Sequence, residues 1–280
     1  MKKGLTKPTK FLLLAALAVF AAVVLLVGYM RLEYKNIKTT NLSLQGQDAA
    51  LAGIKIVYAV DFQYDMQSGR IEDETFQKAI DKIKAEQPDL ILLGGDYITN
   101  PDNRRAAIPY LAQLEAPLGV YAVFGNHDAR ARQFFKEELT NIHFLENETV
   151  YIAYNGTSLA LTGVEDLWTG RPVCQPDAVQ KGQYGILLSH NPDFFETLAP
   201  ELKDQYSLTL SGHIHAGQIT FFGLFGVPFV LDSVTDYGEK YRYGEKVYDG
   251  HRIYVSSGLG GGVANLAVRF FAQPEIVLIA

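Results

Sequence analysis

Hydrophobic residues follow two different patterns along the chain. Near the N-terminus, residues 11–30 are twenty consecutive positions without a charge, rich in Leu, Ala, Val and Phe. From residue 54 onward, short apolar runs alternate with amphipathic stretches instead. The first pattern predicts a long apolar helix, and the second predicts an α/β domain with a core of its own.

The apolar runs between residues 54 and 124 have the lengths of buried strands, and stretches with helical spacing separate them. This β-α-β-α-β order predicts parallel strands with helices on both faces of a sheet. After residue 149 the strand-like runs have fewer helices between them, which predicts a layered, mixed sheet in one α/β domain over residues 53–280. The predicted strands are 54–60, 90–93, 120–124, 149–154, 159–164, 185–189, 208–211, 252–255 and 276–279, and the predicted helices are 75–85, 104–114 and 131–139.

The apolar run 11–30 would form a helix of about 30 Å, which is the hydrocarbon thickness of a bilayer. A cleavable signal peptide is the alternative, but its apolar region is about 7–15 residues long and ends in a small-residue cleavage site. We therefore predict a basic cytoplasmic tail over 1–10, a retained transmembrane anchor over 11–30 and a juxtamembrane linker over 31–52. Four lysines before the run favour a single-pass protein of the cell membrane with its body outside the cytoplasm.

Charge divides the chain at the same place. The net charge is −6, but residues 1–38 carry about +6 and the remainder about −12. An acidic body argues against binding of nucleic acid. The single cysteine, Cys174, cannot form an intrachain disulfide or a thiolate metal cluster.

Metal-binding residue types follow the predicted strands, and ligands of α/β folds bind beyond the carboxyl ends of strands. Four of the six histidines lie in these segments, whereas a structural role suffices for His143 and His251. A two-metal hydrolytic site needs ions about 3.5–4 Å apart, with a carboxylate between them. Oxygen ligands with a few imidazoles suit Mn, Fe, Zn or Mg. The segments are Val60-Asp61-Phe62-Gln63, Gly94-Gly95-Asp96-Tyr97, Gly125-Asn126-His127-Asp128, Ser189-His190-Asn191-Pro192-Asp193 and Gly212-His213-Ile214-His215.

In this order, the five segments resemble the motifs of the calcineurin-like metallophosphoesterases: Asp-x-His, Gly-Asp, Gly-Asn-His-Asp/Glu, a lone His and Gly-His-x-His. The resemblance runs from about residue 54 to the C-terminus and implies a layered, mixed β-sheet sandwich flanked by helices. Residues 189–193, 212–218 and 257–260 are also similar to a membrane-associated bacterial branch. That branch is related to lipid-acting phosphoesterases and UDP-2,3-diacylglucosamine pyrophosphatases.

The resemblance implies two divalent metal ions, with Mn²⁺ preferred over Fe, Zn or Mg, and with Asp96 between them. It places His127 outside the metal shell, close to the phosphoryl group, with Asp128 orienting its ring. The first ion would be held by Asp61, Asp96, His215 and Gln63, and the second by Asp96, Asn126, His190 and His213.

Gln63 departs from the family pattern, which has histidine at this position. A neutral amide is a weaker metal donor, although its oxygen can still ligate. Related Mn-dependent nucleotide-diphosphate hydrolases carry glutamine here, so the resemblance does not imply an inactive enzyme.

Two further features have alternative interpretations. Arg130 and Arg132 could contact phosphate oxygens, or they could simply begin an exposed helix. Residues 219–231 could form a core strand, or Phe221, Phe222, Leu224 and Phe225 could form an apolar lip that contacts lipid or holds an acyl chain, with Phe222 as a substrate contact.

These features favour a membrane-anchored two-metal phosphoesterase that hydrolyses a phosphodiester or pyrophosphate bond in a lipid-linked substrate. One alternative is an Mn-dependent nucleotide-diphosphate pyrophosphatase acting on a UDP-2,3-diacylglucosamine-like or ADP-ribose-like substrate. Another is a non-catalytic module that binds metal or phospholipid, against which the complete set of ligand residues argues. The expected partners are a membrane and a phosphorylated lipid or nucleotide-type substrate, and the oligomeric state stays open.

Overall fold

The structure is a computed structural model that describes residues 7–44, 51–65, 73–263 and 266–280. Within these ranges, a long N-terminal helix precedes two six-stranded β-sheets with shorter helices around them. The strands are β1 (Lys38–Leu42), β2 (Ile56–Ala59), β3 (Leu90–Leu93), β4 (Val120–Ala122), β5 (His143–Phe144), β6 (Glu148–Tyr154), β7 (Thr157–Gly163), β8 (Tyr184–Leu188), β9 (Leu208–Ser211), β10 (Thr220–Phe221), β11 (Phe225–Gly226), β12 (Gly244–Tyr248), β13 (His251–Val255) and β14 (Glu275–Ile279). The helices are α1 (Lys7–Lys35), α2 (Asp73–Ala85), α3 (Arg104–Leu111), α4 (Arg132–Glu138), α5 (Phe194–Thr197), α6 (Pro200–Lys203) and α7 (Pro228–Leu231).

The first sheet has the strand order β1-β14-β2-β3-β4-β5. Strands β2 to β5 run parallel, because α2, α3 and α4 form the crossover connections between them. The second sheet has the order β12-β13-β9-β8-β7-β6, with antiparallel strands at both edges and parallel strands between them. The predicted layered, mixed α/β architecture is confirmed.

The two sheets share one hydrophobic cluster, and the helices cover the other face of the first sheet. Along β2 and β3, side chains such as Val57 and Ile91 face α2, α3 and α4, while Tyr58 and Leu92 face the second sheet. Every position of these two strands is buried, as expected for a parallel sheet covered on both faces.

The prediction of a linker over 31–52 is wrong for the described residues. Helix α1 continues to Lys35, and β1 pairs in parallel with β14. Tyr34 and Ile37 are buried in the core against the first sheet. The strand was not visible in the sequence because Lys-Thr-Thr-Asn-Leu lies at a sheet edge and most of its side chains are polar. Residues 45–50 lie outside the described residues.

The alternative of a core strand over 219–231 is also wrong. Strands β10 and β11 form a short antiparallel hairpin, and α7 follows it. The hairpin forms a small sheet of its own, and its apolar side chains are exposed, which confirms the lip as a surface feature. The exposed residues are Phe221, Phe222, Leu224 and Phe225.

Candidate metal centre

The candidate ligands converge at the carboxyl ends of strands from both sheets. In the first sheet, Asp61 lies just beyond β2, Asp96 beyond β3 and Asn126 beyond β4. In the second sheet, His190 lies beyond β8, and His213 and His215 lie beyond β9. The chain topology therefore brings together segments that are far apart in the sequence.

The loops that carry these residues have strained backbones. Asp61, Asp96 and His213 have φ angles of 55°, 56° and 71°, and Gln63 and His215 share this left-handed region. Such conformations cost about 1–3 kcal/mol per residue and persist where surrounding contacts enforce them. At Asp96 the neighbouring loop provides such a contact: Gly125 packs so closely that a Cβ atom there would lie only 2.7 Å from Cγ of Asp96. The side-chain directions at the centre are thus set by the fold.

One cluster of candidate ligands contains Asp96, His190 and His213, whose ligand atoms all lie within 4.8 Å of one another. The His190 Nδ1–H group donates to the Gly94 carbonyl at 2.9 Å, which directs Nε2 toward the cluster. That Nε2 atom lies 3.4 Å from Asp96 Oδ2 and 3.2 Å from Asn126 Oδ1. These four side chains are the predicted ligands of the second ion.

A second cluster contacts the same carboxylate oxygen of Asp96. The Gln63 Nε2–H group donates to Asp96 Oδ2 at 3.2 Å, and the same nitrogen lies 3.0 Å from His215 Nε2. His215 Nδ1 lies 4.0 Å from Asp61 Oδ2. Gln63, Asp61 and His215, with Asp96, are the predicted ligands of the first ion, so Asp96 is the residue common to both clusters.

The polar atoms of the centre match what a cation would need. Among the described residues, Asp61 Oδ1, His213 Nε2 and His215 Nδ1 are buried and have no hydrogen-bond partner. An unpaired buried polar atom is costly unless another group satisfies it. Carboxylate oxygens and imidazole nitrogens are donors that divalent transition metals accept. The residues therefore fit a divalent metal site.

Comparison with known proteins identifies the family. The profile of a family described as calcineurin-like phosphoesterase matches residues 65–217, more than half of the chain. The chain belongs to the calcineurin-like phosphoesterase family. It is accordingly a metal-dependent phosphoester hydrolase, and the family predicted from the motifs is confirmed.

Curated relatives agree with the family over most of the chain. The uncharacterized metallophosphoesterase YkuE of Bacillus subtilis is 32% identical over 267 residues, which cover 90% of this chain and 88% of that protein. The phosphodiesterase YaeI of Escherichia coli is 30% identical, with 81% of this chain and 82% of that protein covered. A bovine transmembrane protein with a metallophosphoesterase domain is 28% identical, with 91% of this chain and 60% of that protein covered.

In this phosphoesterase, the buried carboxylates and imidazoles shift one another's pKa values. Burial would lower the pKa of His190, but the Asp96 and Asp61 carboxylates raise it well above its ordinary value. Burial and the neighbouring His190 lower the pKa of His213 to about 3. Burial also lowers the pKa of His215, and the charge of Arg269 adds to the effect. His213 and His215 are therefore neutral at physiological pH, which is the form that binds metal.

His127 lies at the rim of the centre, and its ring is held by a residue outside the motifs. Its Nδ1 lies 3.0 Å from the Thr99 carbonyl, and its main-chain N–H donates to Asp96 Oδ1 at 2.9 Å. The half-buried ring follows Asn126 on the same loop, which contributes to the cluster with His190 and His213. Thr99 was not predicted, because a carbonyl group leaves no side-chain signal in the sequence.

The predicted orienting role of Asp128 on His127 is wrong. Asp128 is fully buried, and its carboxylate accepts the main-chain N–H groups of Gly125, Asp96 and Tyr97 at 2.7–3.0 Å. It ties the loop after β4 to the loop after β3. Asp128 thus positions Asp96 rather than the imidazole.

The predicted substrate contacts lie at different distances from the centre. Arg132 donates to Thr169 Oγ1 at 3.1 Å, beside a loop whose Trp168 ring packs edge-on against His213 at 4.4 Å. Arg130 is exposed. Phe222 is exposed and packs against Phe270 and Phe271, which also contact Tyr29 of α1.

Two buried charged residues outside the five motif segments also act on the centre. Asp166 accepts the N–H groups of Trp168 and Thr169 in a turn, and its charge also reaches His190 and helps to raise the pKa of that imidazole. Arg269 is fully buried and donates to the carbonyls of Gly260 and Ala272. Arg269 thus supports the loop that packs against His215, where Gly261 would bring a Cβ to within 2.9 Å of Nδ1.

Proposed function

We propose that the protein is a membrane-anchored two-metal phosphoesterase that hydrolyses a phosphodiester or pyrophosphate bond in a lipid-linked substrate. The observation that carries the proposal is that one buried carboxylate, Asp96, contacts Gln63 of one ligand cluster and His190 of the other. A carboxylate shared by two ions is the arrangement that two-metal hydrolases require.

The residues of each cluster are the proposed ligands of one ion, and Asp96 belongs to both sets. When bound, two divalent ions would polarise the phosphoryl group and activate a water molecule for attack. Mn²⁺ is the proposed metal because Gln63 offers an amide oxygen where an imidazole would favour a softer ion. The first set is Asp61, Gln63, Asp96 and His215, and the second set is Asp96, Asn126, His190 and His213.

His127 is the proposed proton donor to the leaving oxygen. Its Nδ1 is engaged by the Thr99 carbonyl, so Nε2 is the nitrogen that can exchange a proton with a bound ester. Its main chain contacts Asp96, which keeps the ring next to the ligand clusters. Arg132, beside the Trp168 loop, is proposed to contact a phosphoryl oxygen.

Helix α1 supports anchoring in the membrane. Among the described residues, it is the one helix that is long and apolar enough to cross a bilayer, and its apolar side chains are exposed. The bovine relative named as a transmembrane protein is consistent with an anchor. The lysines before the apolar run favour a cytoplasmic N-terminus and a catalytic domain on the other side.

A cavity beside α1 supports a lipid-linked substrate. It has a volume of about 560 Å³, and its lining includes Tyr29 and Leu32 from α1. Ala216, which follows His215, and Ser257, which precedes the Gly258 that packs against Asp61, line the same cavity. An apolar chain that leaves the membrane along α1 would thus come close to the metal centre.

The test is a substrate panel with the full chain in detergent and added Mn²⁺. It compares a soluble aryl diester, phosphodiester lipids of short and long chain, a diacylated nucleotide-diphosphate sugar and ADP-ribose. We expect chelator-sensitive hydrolysis with kcat/KM at least about tenfold higher for the long-chain lipid than for its short-chain analogue. Asp96→Asn is the inactive control.

The other outcomes separate the alternatives. A preference for ADP-ribose or for the nucleotide-diphosphate sugar would favour the pyrophosphatase. Equal kcat/KM values for both chain lengths would contradict a lipid-linked substrate. No hydrolysis of any compound by metal-loaded protein would indicate a non-catalytic module.

A further inference from the structure

The hairpin of β10 and β11 displays large apolar side chains to solvent. The exposed fractions are 54% for Phe221, 59% for Phe222 and 73% for Leu224 at the turn. Phe225 stacks on Phe221 with 5.0 Å between ring centroids and is 48% exposed, and Phe229, in the helix α7 that follows the hairpin, is 77% exposed. A contiguous apolar patch of this kind marks a surface that contacts another apolar phase.

Aromatic contacts join the patch to α1 at Tyr29, near the C-terminal end of the uncharged run. Phe222 packs on Phe271 with 5.1 Å between ring centroids. Phe271 in turn lies 6.0 Å from Tyr29, and Phe270 lies 5.9 Å from the same ring. Tyr29 is the next-to-last residue of the uncharged run 11–30, so its ring would stand where the apolar run meets the headgroups.

Hydrogen bonds fix this arrangement. The Glu33 carboxylate accepts the main-chain N–H groups of Phe271 and Ala272 at 3.0 Å and 2.7 Å, and Arg269 N–H donates to the Met30 carbonyl. On the other side, Thr220 N–H donates to the Phe270 carbonyl at 2.9 Å. The segment 269–272 therefore locks the hairpin to α1, and the depth of α1 in a bilayer determines the depth of the hairpin.

We infer that the apolar hairpin, with Phe271 and Phe229, is a second membrane-binding element that inserts into the interfacial layer of the same bilayer that α1 spans. This inference rests on the proposed anchoring by α1. The interfacial layer is about 5–8 Å thick on each side of the hydrocarbon core, and aromatic rings favour it. The patch is continuous with α1 at that level, so lipid is the occupant that the geometry requires.

Insertion of the hairpin has a consequence for the metal centre. Gln218 lies between His215 and the hairpin, and its carbonyl accepts the Phe270 N–H group. A domain held by both α1 and the hairpin cannot rotate freely above the membrane. The loop that carries His215 then stays next to the lipid surface, where a lipid-linked ester is presented.

The experiment uses the full chain in proteoliposomes, with an environment-sensitive fluorophore on a single cysteine in a Cys174→Ala background. The probe sites are Leu224→Cys and, as a second site in α7, Phe229→Cys. The matched control is Tyr151→Cys, which is also exposed but lies on β6, at the edge of the second sheet opposite β12. Hydrolysis of a soluble aryl diester verifies that each labelled variant is folded.

We expect lipid-borne quenchers to quench the probes at 224 and 229 at least about threefold more strongly than the probe at 151, with blue-shifted emission. Equal quenching at all three sites, in protein that resists carbonate extraction, would overturn the inference while leaving the α1 anchor intact. Release of the protein by carbonate would instead contradict the anchor, and the inference would fall with it.

Discussion

The buried carboxylates near the centre have different tasks. Asp96 contacts both ligand clusters, and Asp128 holds two loops together. Asp61 accepts the His213 main-chain N–H group at Oδ2, and its unpaired Oδ1 lies 3.9 Å from His190 Nδ1. Burial raises the pKa of Asp61 to about 7, with a further contribution from Asp96. A bound cation would remove this penalty, because it replaces the proton as the positive partner.

Asp128→Asn tests the loop-tying role. In the wild type, both carboxylate oxygens of Asp128 accept main-chain N–H groups. In the variant, the side-chain NH₂ group replaces one of these oxygens and cannot accept, so at least one buried N–H group loses its acceptor. We expect a loss of about 1–3 kcal/mol in the free energy of unfolding, measured with urea. We also expect weaker Mn²⁺ binding, because Asp96 moves with its loop.

The matched control is Asp177→Asn, an exposed carboxylate that should change the free energy of unfolding by less than about 0.5 kcal/mol. If Asp128→Asn keeps wild-type stability and metal affinity, and alters only the pH dependence of kcat, Asp128 acts on His127 after all.

His127→Ala tests the proposed proton donor. Loss of such a group typically reduces kcat about 10²–10⁴-fold. We expect that loss with an alkyl leaving group, a smaller loss with a nitrophenolate leaving group, and full metal content by elemental analysis. A variant that lacks one metal ion would show that His127 is a ligand and that its assigned role is incorrect.

Among the elements, β1 is the one whose existence is least expected from its sequence. It pairs along its length with β14, and buried Glu275 accepts hydrogen bonds from Thr40, Tyr243 and Tyr254. Because α1 ends only two residues before β1, the helix is joined to the sheet without a flexible segment.

Hydrogen exchange distinguishes this strand from a linker. We expect the amides of Thr40 and Leu42, which face β14 in register with those of Lys38 and Leu44, to be protected from exchange, because β1 is an edge strand and only alternate amides join the ladder. The amides of the exposed residues Gln175 and Asp177 serve as the unprotected reference. Exchange at Thr40 and Leu42 as fast as at that reference would contradict the pairing.

The parts of the fold that were predictable are those with apolar runs. The strands before Asp61, Asp96 and Asn126 could be predicted because both of their faces are buried, and parallel order then placed these residues together. Edge strands β1 and β12 carry polar side chains on exposed faces and have no such signal. The apolar hairpin was ambiguous because an exposed apolar run has the same composition as a buried one.

Within the site, side-chain ligands were predictable and backbone contacts were not. The Thr99 carbonyl at His127 and the N–H groups around Asp128 depend on how loops meet, which no motif records. The contact of Trp168 with His213 likewise joins segments that only the second sheet brings together.

In the molecule as a whole, α1, the apolar hairpin and the ligand loops form one continuous arrangement. The segment 269–272 contacts α1 and the hairpin, and Arg269 supports the loop beside His215. The body is acidic, with about −12 outside residues 1–38, so the proposed binding of the body to the membrane would rest on apolar contact rather than on attraction to anionic lipid. We therefore expect membrane binding to persist at high salt.

The central claim is that two divalent ions share Asp96, and a Mn²⁺ titration of the full chain followed by electron paramagnetic resonance tests it most directly. We predict two Mn²⁺ ions per chain, with a spin-coupled signal as the second ion binds. Asp96→Asn should lose the coupled signal, and Asp177→Asn should keep it. Saturation at one ion with an uncoupled spectrum, or a coupled pair that survives in Asp96→Asn, would contradict the account.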